Sequence, residues 1–265
     1  MMNNKYIELK KMISEMDRVL VAYSGGVDST LLLLAAHDTL GDNAAGLIVK
    51  SPTLPKRELD EAWEFASGLG CYLIEMESGE MELSDYISNS ERRCYFCKLH
   101  RYQMLNDFAA QNGYSSLLDG SNADDLGDYR PGQQAAREQS VRSPLQEVGL
   151  TKNEIREIAR ELGLPNWNKP SSACLASRIP YGTAISTTLL DQIEKVEDYL
   201  YRLGFREFRV RHHGDIARIE VPEDDFEKLL IHRTKIDQAF KEVGFLYITL
   251  DIKGFRSGSM NEGIK

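Results

Sequence analysis

The sequence predicts an α/β fold: a doubly wound parallel sheet over residues 1–182, followed by a smaller C-terminal α+β domain over 183–265. Three observations carry that expectation. Short β-type runs alternate with helical patterns through the first half of the chain. The first of these runs, Val19-Leu20-Val21-Ala22-Tyr23, empties directly into Ser24-Gly25-Gly26-Val27-Asp28-Ser29, a glycine and hydroxyl loop that opens a helix. Beyond Tyr181 to Thr188 the order changes to helix, two short strands, a long helix and a last strand.

Each element has a local reason. The N-terminal MMNNKYIELKKMISEM has the spacing of an amphipathic helix and lacks the h-region of a signal peptide. Strands are expected at Arg18–Tyr23, Ala45–Lys50, Cys71–Met76 and Ser116–Asp119. Helices are expected at Ser29–His37, Lys56–Gly68 and about Lys98–Gln111. The run Thr30-Leu31-Leu32-Leu33-Leu34-Ala35-Ala36 is apolar almost all round, so its helix should be buried against the sheet. Thr151-Lys152-Asn153-Glu154 is a capping box, and its helix should end at Gly163-Leu164-Pro165. A long irregular segment, Asn166 to Gly182, follows; its length marks it as functional and its apolar content speaks against disorder. The smaller domain should contain a helix near Thr188–Leu203, strands Phe208–His212 and Ala217–Val221, a helix from Glu223 to about Val243, and a strand Leu246–Ile252.

Composition bounds the function. With 265 residues and 42% hydrophobic content the chain can bury a substantial core. No run of about 18 apolar residues is present, so a cytoplasmic protein is expected, with no membrane partner. A net charge of −9 disfavours a broad nucleic-acid footprint. Four cysteines are too few for a disulfide scaffold in a chain of this size, and in a reducing compartment C-x-x-C points to metal or redox chemistry.

In a doubly wound sheet the ligand crevice lies at the carboxyl ends of the strands. Three segments fall there: the Ser24–Ser29 loop, Lys50-Ser51-Pro52-Thr53, and Gly120-Ser121-Asn122-Ala123-Asp124-Asp125. Glycines let the backbone turn sharply and approach a polyanion, so that successive N–H groups and a helix N-terminus can point at phosphate oxygens. A Walker loop would need a lysine after its last glycine, and none follows here. Asp124 and Asp125 are of a kind that binds magnesium on a triphosphate, or else simple Asx turn residues. Arg209 and Arg211 share one face of a strand and repel unless an anion or a carboxylate such as Glu220 joins them.

The string SGGVDS resembles the loop of the N-type ATP pyrophosphatase (PP-loop) superfamily, which splits ATP to AMP and pyrophosphate. Together with GSNADDLGDYRPG (Gly120–Gly132), KPSSACLASRIPYG (Lys169–Gly182) and RVRHHGDIARIEVP (Arg209–Pro222), it is similar to the LarE family of PP-loop sulfur transferases over nearly the whole chain. The resemblance implies ATP-dependent conversion of pyridinium-3,5-biscarboxylic acid mononucleotide to its thiocarboxylate forms, for the nickel-pincer nucleotide cofactor of lactate racemase. It implies a nucleotide site of Ala22, Ser24, Gly25, Gly26, Asp28, Ser29, Lys50, Gly120, Asp124, Asp125 and Arg178, with Asp28 and Asp125 holding Mg2+. It places the substrate phosphate on Arg209 and Arg211, puts Cys174 at the sulfur-handling position, and suggests a homo-oligomer, with a hexamer as one form.

Chemically, adenylation turns a poor electrophile into an acyl-adenylate whose AMP a sulfur nucleophile can expel. Lys169 and Arg178 give the Cys174 loop a positive character that favours thiolate. In the family's single-cysteine form that cysteine surrenders its own sulfur and is consumed. Here Arg92-Arg93-Cys94-Tyr95-Phe96-Cys97-Lys98 adds a C-x-x-C. Cys94, Cys97 and Cys174 could hold a [4Fe-4S] cluster with one iron open to a sulfide supplied by a separate donor, an arrangement known in a subset of the family. Structural zinc with His100, a thiol–disulfide pair, and the sacrificial route remain alternatives for these cysteines. Cys71, inside an apolar run, reads as a core residue. At the level of activity, tRNA thiolation and an ammonia-using ligase share the loop; the acidic charge counts against the first and the three cysteines against the second.

Overall fold

A computed structural model describes residues 3–127, 131–170 and 173–256. Asp128-Tyr129-Arg130 and Ser171-Ser172, parts of two motifs quoted above, lie outside the described residues. The described chain divides into two compact units, one drawn from 1–51, 56–86 and 92–172, the other from 52–55, 87–91 and 173 onward. No helix among the described residues is long and apolar enough to cross a membrane.

In the first unit the N-terminal helix α1 (Asn4–Ser14) leads to β1 (Val19–Tyr23), α2 (Val27–Leu40), β2 (Ala44–Lys50), α3 (Lys56–Gly68) and β3 (Leu73–Glu77). A single turn, α4 (Ser84–Ile87), precedes α5 (Arg93–Gln111) and β4 (Ser116–Leu118); α6 (Pro131–Glu138), α7 (Pro144–Glu147) and α8 (Lys152–Glu161) follow. The four strands form one parallel sheet in the order β3-β2-β1-β4. A single parallel bridge from Leu118 to Arg142 extends its β4 edge. Because both faces are covered, the inner strands β1 and β2 are apolar without alternation, whereas the edge strand β3, Leu-Ile-Glu-Met-Glu, alternates. One face packs Leu20, Ala45, Leu47 and Leu117 against Tyr102, Leu105 and Ala109 of α5 and Ala135 and Ala136 of α6. On the other, Gly46 faces Leu33 of α2 so closely that an added Cβ would lie 2.9 Å from its methyl carbon.

Element ends shift by a few residues from expectation, α2 for example spanning Val27–Leu40 instead of Ser29–His37, and two of the shifts have a clear local cause. β3 starts at Leu73 instead of Cys71 because the Cys71 N–H closes the end of α3 on Ala66 O (3.0 Å), after Gly70 takes φ +70°. α5 starts at Arg93 instead of Lys98, with the Arg92 guanidinium over the rings of Tyr95 (4.7 Å) and Phe96 (5.4 Å), so the C-x-x-C lies on the helix. The capping box of α8 forms as expected: Thr151 Oγ1 accepts from the Glu154 N–H, and Glu154 accepts from the Thr151 N–H.

The second unit contains α9 (Thr187–Arg202), β5 (Arg209–His213), β6 (Ile216–Glu220), α10 (Phe226–Ile231), α11 (Arg233–Glu242) and β7 (Tyr247–Leu250). Its sheet runs β5-β6-β7, with β5 and β6 antiparallel and β6 and β7 parallel. Val196, Leu200, Phe205, Val210, Ile219, Ile236 and Phe240 are among its core residues. The single helix expected from Glu223 to Val243 is broken at His232, where ψ is 2° instead of the helical value near −42°. Residues 173–182 pack within this unit. Leu175 N–H donates to Thr53 O, and buried Asn89 donates to the carbonyls of Pro180 (2.8 Å) and Thr183 (2.9 Å).

Candidate active site

The loop between β1 and α2 is built by sterics and two tethers. Gly25 has φ +71°, and a Cβ there would sit 2.6 Å from Ala62 Cβ of α3, so only glycine fits. Gly26 has the opposite character: the nearest atom to an added Cβ is Ser24 Oγ at 3.5 Å, leaving its outer side open to a ligand. Ser29 Oγ donates to Gly26 O (3.1 Å) and accepts from the Ser24 N–H (3.3 Å), closing the loop on the first turn of α2. Ala22 precedes this loop on β1.

Asn166, which periodicity does not single out, is buried and donates to Gly25 O (2.9 Å) and Thr30 Oγ1 (2.8 Å). Such a link, 141 positions long, has no local signature. Asp119 is likewise a hub where the sequence marks only a strand end. Buried at 4% exposure, it accepts from Tyr102 Oη, Ser121 N–H and Oγ, and Ser143 Oγ, which fixes the chain where it leaves β4.

The Gly120–Asp125 loop lies beside the phosphate loop: a Cβ on Gly120 would be 3.0 Å from Ser29 N. Asp124 caps α8 by accepting the Lys152 N–H (2.8 Å), and Asp125 accepts the Asn122 N–H (3.0 Å). Both carboxylates are therefore engaged by backbone N–H groups, and the Asx turn of this loop is made by Asn122, whose Oδ1 accepts the Asp124 N–H (3.0 Å). Asp28 Oδ2 pairs with the Lys152 ammonium, while its Oδ1 is buried without a hydrogen-bond partner among the described residues. Lys50 ends β2, but its ammonium pairs with Glu77 (2.8 Å) and, more loosely, Glu75 (3.7 Å) on β3, which raise its pKa.

On α5, Cys94 is exposed and Cys97 half-buried, and a spacing of three puts both on one helix face. The Cys97 thiol donates to Glu80 Oε2 (3.5 Å), a carboxylate that is itself buried and bonded by Ser51 Oγ and Arg101. Cys71 is buried, as expected of a core residue; burial, then the Asp38 charge, push its thiol up to about 11.

In the second unit Cys174 is exposed at the head of a single 3₁₀ turn, Leu175–Arg178. Arg178 forms a two-pronged pair with Glu197, Nε to Oε1 and Nη2 to Oε2 at 2.9 Å each. Its Nη1 donates to Ala173 O (2.6 Å), Cys174 O (3.0 Å) and Ser177 Oγ (3.0 Å). Arg211 spends Nε and Nη2 on Glu220 Oε2 and Nη1 on Ser177 O (3.0 Å), which is the carboxylate pairing open in the sequence, though buried instead of solvated. Arg209 lies against the Phe255 ring, 5.1 Å from its centroid; burial, then the nearby Arg178 charge, lower its pKa to about 10. The positive surroundings expected for Cys174 are thus largely neutralised. Lys169 pairs with Glu58 and Glu61 (2.7 Å each) and Arg178 with Glu197. Burial alone would lower the Lys169 pKa, and those two glutamates raise it instead.

The first unit therefore brings together Ser24–Ser29, Gly120–Asp125 and Lys152; the second brings together Cys174, Arg178, Arg209 and Arg211. Among the described residues no three His, Cys, Asp or Glu side chains are gathered closely enough to hold a metal ion.

No protein-family model matches the chain. An uncharacterized protein of Synechocystis sp. is 43% identical over 263 residues, 98% of each chain. The pyridinium-3,5-bisthiocarboxylic acid mononucleotide synthase of Lactiplantibacillus plantarum is 42% identical over 252 residues, 94% of this chain and 91% of that enzyme. A glutamine-hydrolysing GMP synthase subunit of Methanococcus maripaludis is 28% identical over 199 residues, 70% of this chain and 61% of that one.

Proposed function

The chain belongs to the LarE family of PP-loop enzymes, ATP-dependent sulfur transferases, and from that membership we propose that it converts the carboxylates of pyridinium-3,5-biscarboxylic acid mononucleotide to thiocarboxylates. The observation that supports the ATP half is the Ser24–Ser29 loop as built. Its pinned Gly25, open-sided Gly26 and α2 N-terminus form a phosphate cradle without a Walker lysine.

A substrate carboxylate oxygen attacks the α-phosphorus of ATP, the bond to the β-phosphate oxygen breaks, and pyrophosphate leaves. The loop amides, Ser24 and Ser29 bind the departing phosphates, stabilising charge as it grows there. Ala22, Lys50, Gly120 and Asp124 complete the proposed nucleotide site. Asp28 and Asp125 are the proposed Mg2+ ligands; the partnerless buried Oδ1 of Asp28 is an oxygen that a cation would satisfy. Bound there, Mg2+ offsets the negative charge of the polyphosphate.

A sulfur nucleophile then attacks the acyl-adenylate carbonyl and AMP departs with the C–O bond electrons. Arg209 and Arg211 hold the substrate phosphate, and the exposed Cys174 handles sulfur. Arg178, expected at the nucleotide, grips the Ala173 and Cys174 carbonyls, which supports a positioning role for it at Cys174. The thiols of Cys94, Cys97 and Cys174 suit three irons of a [4Fe-4S] cluster in kind and number, two of them on one helix face. Such a cluster would present sulfide at its fourth iron. The enzyme is further proposed to be cytoplasmic and homo-oligomeric, with a separate sulfide donor, in nickel-pincer nucleotide synthesis for lactate racemase.

Anaerobically purified and reconstituted protein is expected to contain iron and acid-labile sulfide, to lose both on Cys94→Ala and to keep both on Cys71→Ala. It should release pyrophosphate only with ATP and the dicarboxylate present. Absence of substrate-dependent pyrophosphate release overturns the reading. Absence of iron, with Cys174 losing the mass of hydrogen sulfide after turnover, replaces the cluster with the sacrificial route.

A further inference from the structure

We infer that Lys152 supplies the cation which the glycine loop lacks, binding the pyrophosphate portion of ATP from the N-terminus of α8. The inference rests on the ATP-pyrophosphatase reading and assigns a residue that neither the loop motif nor its spacing indicates.

Lys152 reaches the phosphate loop across 124 positions of sequence, its ammonium on Asp28 Oδ2 in the first turn of α2. Asp28 stands two residues after Gly26, so the ammonium is held at the mouth of the cradle. The backbone that carries it is fixed three ways. The Thr151–Glu154 capping box sets the first turn of α8, Asp124 accepts the Lys152 N–H at 2.8 Å, and the Ala123 N–H donates to Leu150 O at 2.8 Å. Asp124 belongs to the same loop that presses Gly120 against the Ser29 amide. The base of Lys152 is thus tied to the site, while the ammonium sits on a flexible four-carbon stem.

A stabilising role explains this arrangement poorly. The Lys152 and Asp28 side chains are 29% and 20% exposed, and a partly exposed ion pair adds little to stability. A polyphosphate has what Asp28 offers, anionic oxygen, in greater number and charge. Asp28 keeps the ammonium beside the cradle while no anion is present, and the arriving polyphosphate takes it over. A point charge on a long stem suits a leaving group that moves away from the α-phosphorus as its charge grows.

The test is titration of the full-length protein with ATP, inorganic pyrophosphate and AMP, comparing wild type with Lys152→Gln, Lys152→Ala and Lys152→Arg. AMP lacks the phosphates that Lys152 is proposed to hold. Loss of one charge-assisted contact predicts that the Gln and Ala variants bind pyrophosphate and ATP about tenfold more weakly, bind AMP as wild type does, and melt at an unchanged temperature. Lys152→Arg, which keeps the charge, should recover most of the pyrophosphate affinity. Pyrophosphate affinity within about twofold of wild type in Lys152→Gln overturns the inference, and so does a parallel loss for AMP, which would mark a disturbed fold. Wild-type protein that binds neither ATP nor pyrophosphate overturns the functional reading, and the inference with it.

Discussion

Replacing Glu197 should be among the costliest single changes in the second unit. Its carboxylate lies at 5% side-chain exposure opposite Arg178 at 2% and takes two guanidinium bonds of 2.9 Å each. Oε1 also accepts the Val210 N–H at 2.9 Å, tying α9 to β5. A hydrogen bond to a charged group contributes roughly 1.5–3 kcal/mol, and breaking one side of a buried pair costs about 3–5 kcal/mol because the other charge stays in the interior. Glu197→Gln keeps one acceptor, so we expect a loss of about 3 kcal/mol. Glu197→Ala also strands the Val210 N–H, adding roughly 1–3 kcal/mol. Hydrogen exchange read on peptides covering 193–213 measures the local cost. Iodoacetamide labelling of Cys174 measures the consequence, since a displaced Arg178 releases the Ala173 and Cys174 carbonyls and should change the labelling rate. A loss below about 1 kcal/mol in Glu197→Ala, with Cys174 labelling unchanged, would refute the account of this pair as the anchor of the cysteine turn.

Gly25→Ala introduces a Cβ at 2.6 Å from Ala62 Cβ at φ +71° and should cost about 2–4 kcal/mol by denaturant unfolding, whereas Gly26→Ala should fold as wild type and lose ATP affinity, as calorimetry can show. Alkylation at pH 8 followed by mass spectrometry should label exposed Cys94 and Cys174 and leave Cys71 unmodified, because its thiol is buried and raised to about 11. Burial holds the pKa of His212 below 6.5, so the unfolded chain takes up this proton first as pH falls. Denaturant midpoints should therefore drop below pH 6.5, before the carboxylates Glu154 and Asp251, whose pKa values are lowered, begin to protonate; His212→Gln should reduce the drop.

What the sequence could express was local. The apolar run, glycine turn and helix of residues 19–40 were legible because their causes, strand periodicity and loop sterics, act within a few positions. The α8 capping box and the core placement of Cys71 were legible for the same reason. The partners that complete the loop were not. Asn166 meets Gly25 across 141 positions and Lys152 meets Asp28 across 124, and both pairings exist because parallel strands deliver remote loops to one sheet end. The start of α5 was missed because the cap there is a cation over two aromatic rings, with no side-chain hydroxyl or carboxylate to announce it.

The arginines of the second unit show that strand alternation does not settle how two cations on one face are used. Arg209 and Arg211 follow strand alternation, and alternation alone makes them equivalent. The structure separates them. Arg211 is committed to Glu220, which is fully buried and also takes Arg218 at 3.0 Å, and its remaining arm holds Ser177 O beside the Cys174 turn. Arg209 instead sits where burial and the neighbouring cations Arg178 and Arg211 together push its pKa down to about 10. Glu197 and Glu220 already oppose those two cations, and an anion brought to Arg209 would further favour the charged form that burial disfavours. Because Arg211 bonds both Glu220 and Ser177 O, it ties the Cys174 turn to the strand that also carries Arg209. The pairing with Glu220, read by itself as an ordinary structural contact, is then what keeps that side chain in position to hold the turn.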